Sequence, residues 1–286
     1  MRQDRRSDFA QFAERKTREA ASAHIETLST IFDGSGSEPV AAVGNDWSRM
    51  HFGGDFPIFQ PANDTATALS LVFVQSKDGN TGGDPGALGG GATDTHLIYE
   101  GLTRVAADAV LAGGRSVGSE TVFSVWHPEL VALRGSLHLP RHPIQIVVSK
   151  FAQFNFDALL FNVPEVAVFV IAAAEHMTRH ASILQARPWI RHVPLVDDDL
   201  RMPMGRLREE AGIRRVSAIG GRFTATGLVD AGLCQDLYLT TTSKEGGQPG
   251  TPWYAGTNLP STRTITKKAW LDDGSRILFE HMLIRR

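Results

Sequence analysis

Val216-Ser217-Ala218-Ile219-Gly220-Gly221-Arg222-Phe223-Thr224 reads as the end of a buried strand, a two-glycine turn and the start of a helix that runs to Ala231. Glycine has no Cβ, so a ligand can approach its backbone closely. The N–H groups of the helix's first turn then face that ligand, and the helix dipole favours an anion there. The same residues also make an ordinary tight turn, and taken alone they leave turn and phosphate cradle both open.

On either side of this stretch, strands and helices alternate from Leu69 onward. Residues 69–74, 109–112, 144–148, 166–171, 192–196 and 237–242 are short apolar or β-rich runs. Residues 95–107, 176–186 and 200–211 read as helices, the last with Gly212 placed as its C-terminal cap. Residues 262–284 read as a pair of strands turning at Asp272-Asp273-Gly274. This alternation predicts an α/β fold in three layers, α/β/α, with a mainly parallel sheet covered on both faces and an antiparallel C-terminal edge. Residues 8–30 read as a helix with Phe9, Phe12, Ala20, Ile25 and Leu28 on one stripe, and residues 33–67 are rich in glycine, proline and polar side chains. Residues 1–60 are therefore expected to form an N-terminal extension that packs on a main domain, residues 61–286, or on a partner subunit.

Composition narrows the function classes. An apolar fraction of 42% supports a core, and a formal net charge of −2 with no basic face argues against a nucleic-acid partner. The single cysteine, Cys234, excludes an intrachain disulfide and fits a reducing cytosol; its apolar neighbours suggest a core residue rather than a nucleophile. No apolar stretch follows the charged N-terminus, so neither a signal peptide nor a membrane span is expected, and the cytoplasm is the default.

In parallel sheets ligands bind beyond the carboxyl ends of the strands. Several polar, mostly glycine-bearing segments fall there. Residues 75–83, with Ser76, Asp78, Gly79 and Asn80, lead into the glycine-rich stretch 84–91. They are either a floppy connection or a lid over a flat ligand, with Asp78 or Ser76 bonding its polar groups. Gly113-Gly114-Arg115-Ser116 offers a planar guanidinium fork and a hydroxyl for phosphate. Ser149-Lys150 offers a second phosphate site, and Gly220-Gly221 with Arg222, Phe223 and Thr224 completes the set. Such segments at successive strand ends suggest an extended polyanionic cofactor lying across the sheet.

Other signatures are missing. No G-x-G-x-x-G, Walker A lysine or G-x-S-x-G elbow is present. His176-x-x-x-His180 has helical metal spacing, but Glu175 precedes the pair, and a surface pair is the simpler reading. His127, His138 and His142 read as solvated residues of a proline-rich loop, and Asp197-Asp198-Asp199 as helix-capping residues; no metal is expected.

Taken in order, Gln75-Ser76-Lys77-Asp78-Gly79, residues 105–117, Ile219-Gly220-Gly221-Arg222-Phe223-Thr224 and residues 230–237 resemble the reductase domain of bacterial bifunctional riboflavin-biosynthesis deaminase/reductases, a family with the dihydrofolate reductase fold. The resemblance runs from about Leu69 to Thr242, and the deaminase domain has no counterpart. It implies an NADPH-dependent reductase that transfers hydride to a pyrimidine, a pteridine or a related small molecule, with homodimers as the family expectation. Pyrophosphate would lie at Gly220-Gly221 and Arg222 to Thr224. The adenosine end and 2′-phosphate would lie near Arg115, Ser116, Ser149 and Lys150, and the nicotinamide near Gly113 and residues 76–82. Asp78 would hold the substrate. Asp94 is the candidate for a substrate contact or proton relay, with a helix N-cap as the competing role. Family members carry Glu directly before the two glycines and often Lys or Asn on the first strand, where this chain has Ile219 and Val72. Those departures leave the substrate open and favour, as an alternative, an inactive nucleotide-binding or regulatory member acting through partner binding.

Overall fold

Short runs of valine, isoleucine and leucine with no polar alternation can be satisfied only by burying both faces of a strand. The computed structural model, which describes residues 5–34, 36, 41–82, 88–256 and 259–284, does this in its sheet centre. Strands β4 (Ala68–Gln75), β5 (Ala109–Gly113), β6 (Ile144–Val148), β7 (Val168–Ala172), β8 (Ile190–Pro194) and β9 (Arg215–Ala218) lie parallel. Strand β10 (Asp236–Thr242) joins β4 in parallel. The long hairpin β11 (Ser261–Trp270) and β12 (Arg276–Ile284) then adds antiparallel, and β1 (Ser29–Asp33) closes that edge. Among the described residues the order across the sheet is β1-β11-β12-β10-β4-β9-β5-β6-β7-β8.

Alternate residues of each strand feed opposite layers. Leu69, Leu71 and Phe73 of β4 face a cluster with Met204 and Leu207 of α7 (Arg201–Ala211) and Ala225 and Leu228 of α8 (Arg222–Asp230). Val72 faces the other layer, with Leu97, Ile98 and Leu102 of the long helix after β4 and Leu130 and Leu133 of α4 (Pro128–Ser136). The layers and antiparallel edge expected from the sequence are thus present.

Several boundaries differ from the sequence reading. The first helix, α1, spans Arg6–Ala21 rather than residues 8–30, and Ser29–Asp33 is an edge strand. Residues 33–67 hold a short helix, α2 (Asp46–His51), capped by Asn45, and the two-residue strands β2 (Ala42–Val43) and β3 (Phe56–Pro57). The helix expected over 95–107 begins earlier, as α3 (Gly91–Thr93), and continues as a π-helix over Asp94–Leu102. Residues 176–186 are broken into α5 (Ala174–Met177), a 3₁₀ turn and α6 (Ala181–Ala186). The proline-rich stretch after His127 is helical because Pro128 occupies a first-turn position, where its missing N–H costs nothing. No described helix is long and apolar enough to cross a membrane.

Residues of the first sixty belong to the same core. Phe12 and Ala20 pack with Trp126, Val147 and Phe161. Ile25, Leu28, Phe52 and Phe56 pack with Leu97, Tyr238 and Phe279.

Candidate functional site

The carboxyl ends of β5 and β9 meet at bare backbone. The Gly113 N–H donates to the Gly220 carbonyl at 3.3 Å. A Cβ on Gly113 would stand 3.2 Å from Thr224 Oγ1 and 3.7 Å from the Gly220 carbonyl oxygen, so a side chain would crowd this junction. Gly220 and Gly221 have φ of 114° and 80°, which L side chains rarely adopt, and Gly221 is the N-cap residue of α8. The turn therefore needs glycine for its conformation, and it sets at these strand ends the N-terminus of a nine-residue helix that has no side-chain cap and whose first-turn N–H groups have no partner within the helix. Thr224 lies beside both strand ends; Phe223 is 83% exposed, and Arg222 Nη1 donates to the Gly250 carbonyl at 2.9 Å.

The phosphate candidates at the next strand ends have different fates. Gly114 packs against the loop after β6, where an added Cβ would stand 3.3 Å from Ser149 Cβ. Arg115 and Ser116 are exposed and make no side-chain bond among the described residues. Ser149 Oγ accepts the Gln153 N–H at 3.0 Å, and Lys150 is ion-paired with Asp198.

The loop after β4 is a hydrogen-bonded turn. Gly79 N–H donates to the Ser76 carbonyl at 3.0 Å, and the Asn80 N–H donates to Ser76 Oγ at 3.3 Å. Ser76 is fully buried, so its hydroxyl shapes the turn rather than presenting itself to a substrate. Asp78 is exposed at the tip. Asn80 Oδ1 accepts the Thr251 N–H at 3.3 Å, and Thr81 N–H donates to the Thr251 carbonyl at 2.8 Å. The loop is thus tied to residues 244–256, a wall of the site that the sequence reading missed; its Gly246, Gly247 and Gly250 were the available signal. Trp253 of that wall lies 6.1 Å from the Phe73 ring, which borders Gly220. Residues 83–87 of the expected lid lie outside the described residues.

Asp94 is not a helix N-cap. It sits inside the helix at the start of the π segment, 3% exposed, and accepts a 2.5 Å hydrogen bond from Thr240 Oγ1 on β10. Burial pushes its carboxyl up to about 7, and the threonine hydroxyl only partly offsets this. Tyr99, one π turn on, is also pushed up, first by burial and then by the Asp94 charge; the Val74 backbone pulls it down by hydrogen bonding. The pair stands under the ends of β4 and β10. Thr240 as partner was invisible in sequence, because 146 residues separate it from Asp94.

Val72 is fully buried, and Ile219 packs against the cluster holding Leu97 and Tyr238, so both departures from the family pattern are apolar contacts here. His127 is buried and His142 half-buried rather than solvated. Asp199 accepts the Arg201 N–H at 2.9 Å, while Leu200 stands at the N-cap of α7 with no side-chain bond. None of the histidine groups weighed from sequence gathers three ligating atoms; among the described residues His24, Glu26 and Asp272 do, at the surface.

The fold is thus an α/β protein with a mainly parallel sheet covered on both faces, whose neighbouring strand ends carry a two-glycine turn at a helix N-terminus and a buried acid. Residues 68–279 match the family model of the RibD C-terminal domain, and the chain belongs to that family. A search of curated proteins gives no match. Among solved structures, a pyrimidine reductase-like protein from Corynebacterium diphtheriae aligns at TM-score 0.62 and 18% identity, covering 77% of this chain and 92% of that one. RibD of Acinetobacter baumannii aligns at 0.59 and 13%, covering 77% and 58%. The riboflavin biosynthesis reductase Rib7 of Saccharomyces cerevisiae aligns at 0.52 and 18%, covering 78% and 93%. The α/β fold expected from the sequence is the fold of these reductase domains.

Proposed function

We propose that the chain is a reductase that transfers hydride from NADPH to a pyrimidine, a pteridine or a related small heterocycle. The observation that carries this reading is the Gly113–Gly220–Gly221 junction at the start of α8, one strand away from the buried acid on the sheet's other side. The residues present fit a dinucleotide. The Gly221 turn and the first turn of α8 would hold pyrophosphate, and Arg115 and Ser116 are free for a further phosphate. The cofactor, when bound, supplies the hydride. The protein's own work is to orient donor and acceptor and to hold a proton at Asp94. At neutral pH an acid with a pKa of about 7 is present in both forms, so it can donate a proton to a ring nitrogen as hydride arrives. Asp78 at the loop tip is the proposed substrate contact. The riboflavin and pyrimidine names of the structural relatives favour a pyrimidine over other rings. We further propose residues 61–286 as the catalytic domain, a homodimer as the working form and the cytoplasm as its location.

The test is a titration of the purified protein with NADPH, followed by thermal melting and nicotinamide fluorescence. Saturable binding raises the melting temperature by mass action. A folded sample that shows no shift overturns the reductase reading. Binding without turnover on pyrimidines and pteridines supports the nucleotide-binding regulator that Ile219 and Val72 would suit.

A further inference from the structure

The carboxyl ends of β5 to β8 form one continuous ledge. Gly114 packs on Ser149, the Ala173 N–H donates to the Lys150 carbonyl at 3.3 Å, and the Leu195 N–H donates to the Ala172 carbonyl at 2.9 Å. With strands about 4.8 Å apart, β6 lies about 10 Å from β9, so a dinucleotide with its pyrophosphate at the β9–α8 turn could reach this ledge with its adenosine half. The ledge opens into a cleft of about 380 Å³ bounded by Lys150, the segment from Ala173 to His176 and the segment from Pro194 to Asp198. Its walls offer apolar surface: Val196 is 46% exposed, and the neighbouring Phe151 ring, 5.5 Å from His176, is 52% exposed.

The charges in this cleft run against a phosphate. Lys150, its one permanent cation, is paired with Asp198, and Glu175 and Asp197 line the same walls. Both aspartates have positive φ, 52° and 58°, a conformation that aspartate and asparagine tolerate better than most residues. A dianionic 2′-phosphate placed beside Lys150 would have to draw the ammonium from Asp198 and bear the neighbouring carboxylates. A free ribose 2′-hydroxyl meets no such opposition and can donate to a carboxylate. Arg115, one strand away, remains the attraction for the phosphate.

We propose that Asp198 sets how far this chain distinguishes the two dinucleotides: by holding Lys150 it weakens 2′-phosphate binding, so that NADH binds alongside NADPH. This rests on the nicotinamide reading above. The test is fluorescence titration of the wild-type chain, Asp198→Asn and Glu175→Gln with NADH and NADPH at low and high salt. Asparagine suits the same backbone, so Asp198→Asn should fold, which an unchanged melting temperature checks.

The expected result is a wild-type preference for NADPH below about tenfold. Asp198→Asn should tighten NADPH about five- to tenfold at low salt, leave NADH unchanged, and lose most of the gain at high salt. Glu175→Gln should move NADPH the same way by less. A preference for NADPH above about a hundredfold in the wild type, or an affinity ratio that Asp198→Asn does not move, overturns the role of Asp198 while leaving the reductase reading standing. Failure to bind either dinucleotide removes both.

Discussion

A carboxyl group with no cation beside it in a protein interior favours its neutral form. Asp94 meets this condition, with Thr240 as its hydrogen-bond partner. Its pKa is near 3.8 when exposed and about 7 when folded, so between those values the folded chain holds a proton that the unfolded chain has lost. The stability contribution is full below about pH 4 and is lost as pH rises through about 7, to a maximum of about 4 kcal/mol. Asp94→Asn keeps the neutral shape without the titration. The difference in melting temperature between Asp94→Asn and wild type should climb from pH 4 to pH 7 and then level off, while reductase turnover falls. A constant difference across that range would mean that the acid is ionised throughout. Gly221 allows a matching test of binding. A Cβ there meets nothing closer than 3.6 Å, so Gly221→Val suffers from its positive φ rather than a clash, about 1–2 kcal/mol of stability. The branched side chain then stands where phosphate would approach the backbone. NADPH affinity should fall at least tenfold in a folded variant, and unchanged affinity would show that the cradle is empty.

The π-helix is the element that gives this site its second face. Nine residues from Asp94 to Leu102 place Asp94 toward β10 and Glu100 toward the loop before α4. There Glu100 Oε2 accepts the N–H groups of Trp126 at 2.9 Å and His127 at 3.1 Å. Glu100→Ala would orphan two buried donors and leave Arg104 without its nearby anion, for a loss of about 2–4 kcal/mol; Glu100→Gln keeps an acceptor and should lose less. Urea denaturation of the two variants checks this, and equal losses would show that charge rather than hydrogen bonding matters. The helix itself was legible from Leu97, Ile98 and Leu102, because apolar spacing reports burial. Its π register was not legible, since it is set by packing: a Cβ on Gly101 would stand 2.6 Å from the Phe56 ring. The Gly220-Gly221 turn was legible because only glycine adopts those backbone angles at little cost. Lys150 reads as a phosphate ligand because its sequence neighbours are innocuous; its partner Asp198 comes from the turn after β8, two strands across the sheet from β6. Burial of His127 and His142 was hidden for the same reason, as their cover comes from residues near the N-terminus.

That cover couples the whole molecule to pH. The Trp47 ring lies 4.3 Å from His127, and the Phe9 ring lies 5.3 Å from His142, so α1 and α2 seal two imidazoles against the main sheet layer. Burial pushes His127 down to about 4, helped by His96; burial pushes His142 down to about 4, helped by Arg141. Their unfolded values are near 6.5, so below that pH the unfolded chain takes up protons that the folded chain refuses. Stability is full above about pH 6.5 and is lost as pH falls through about 4, up to about 3 kcal/mol for His127. Asp94 works in the opposite direction over nearly the same range, and two histidines against one aspartate tilt the balance toward acid lability. The unfolding free energy of the wild-type chain should therefore fall between pH 6.5 and pH 4. Trp47→Ala uncovers His127: its imidazole proton resonances, followed by NMR, should titrate closer to 6.5, and the acid slope should become shallower even though the variant is less stable at neutral pH. A wild-type His127 that already titrates near 6.5 would mean that the N-terminal residues do not seal it, and that they fold apart from the sheet whose edge β1 closes.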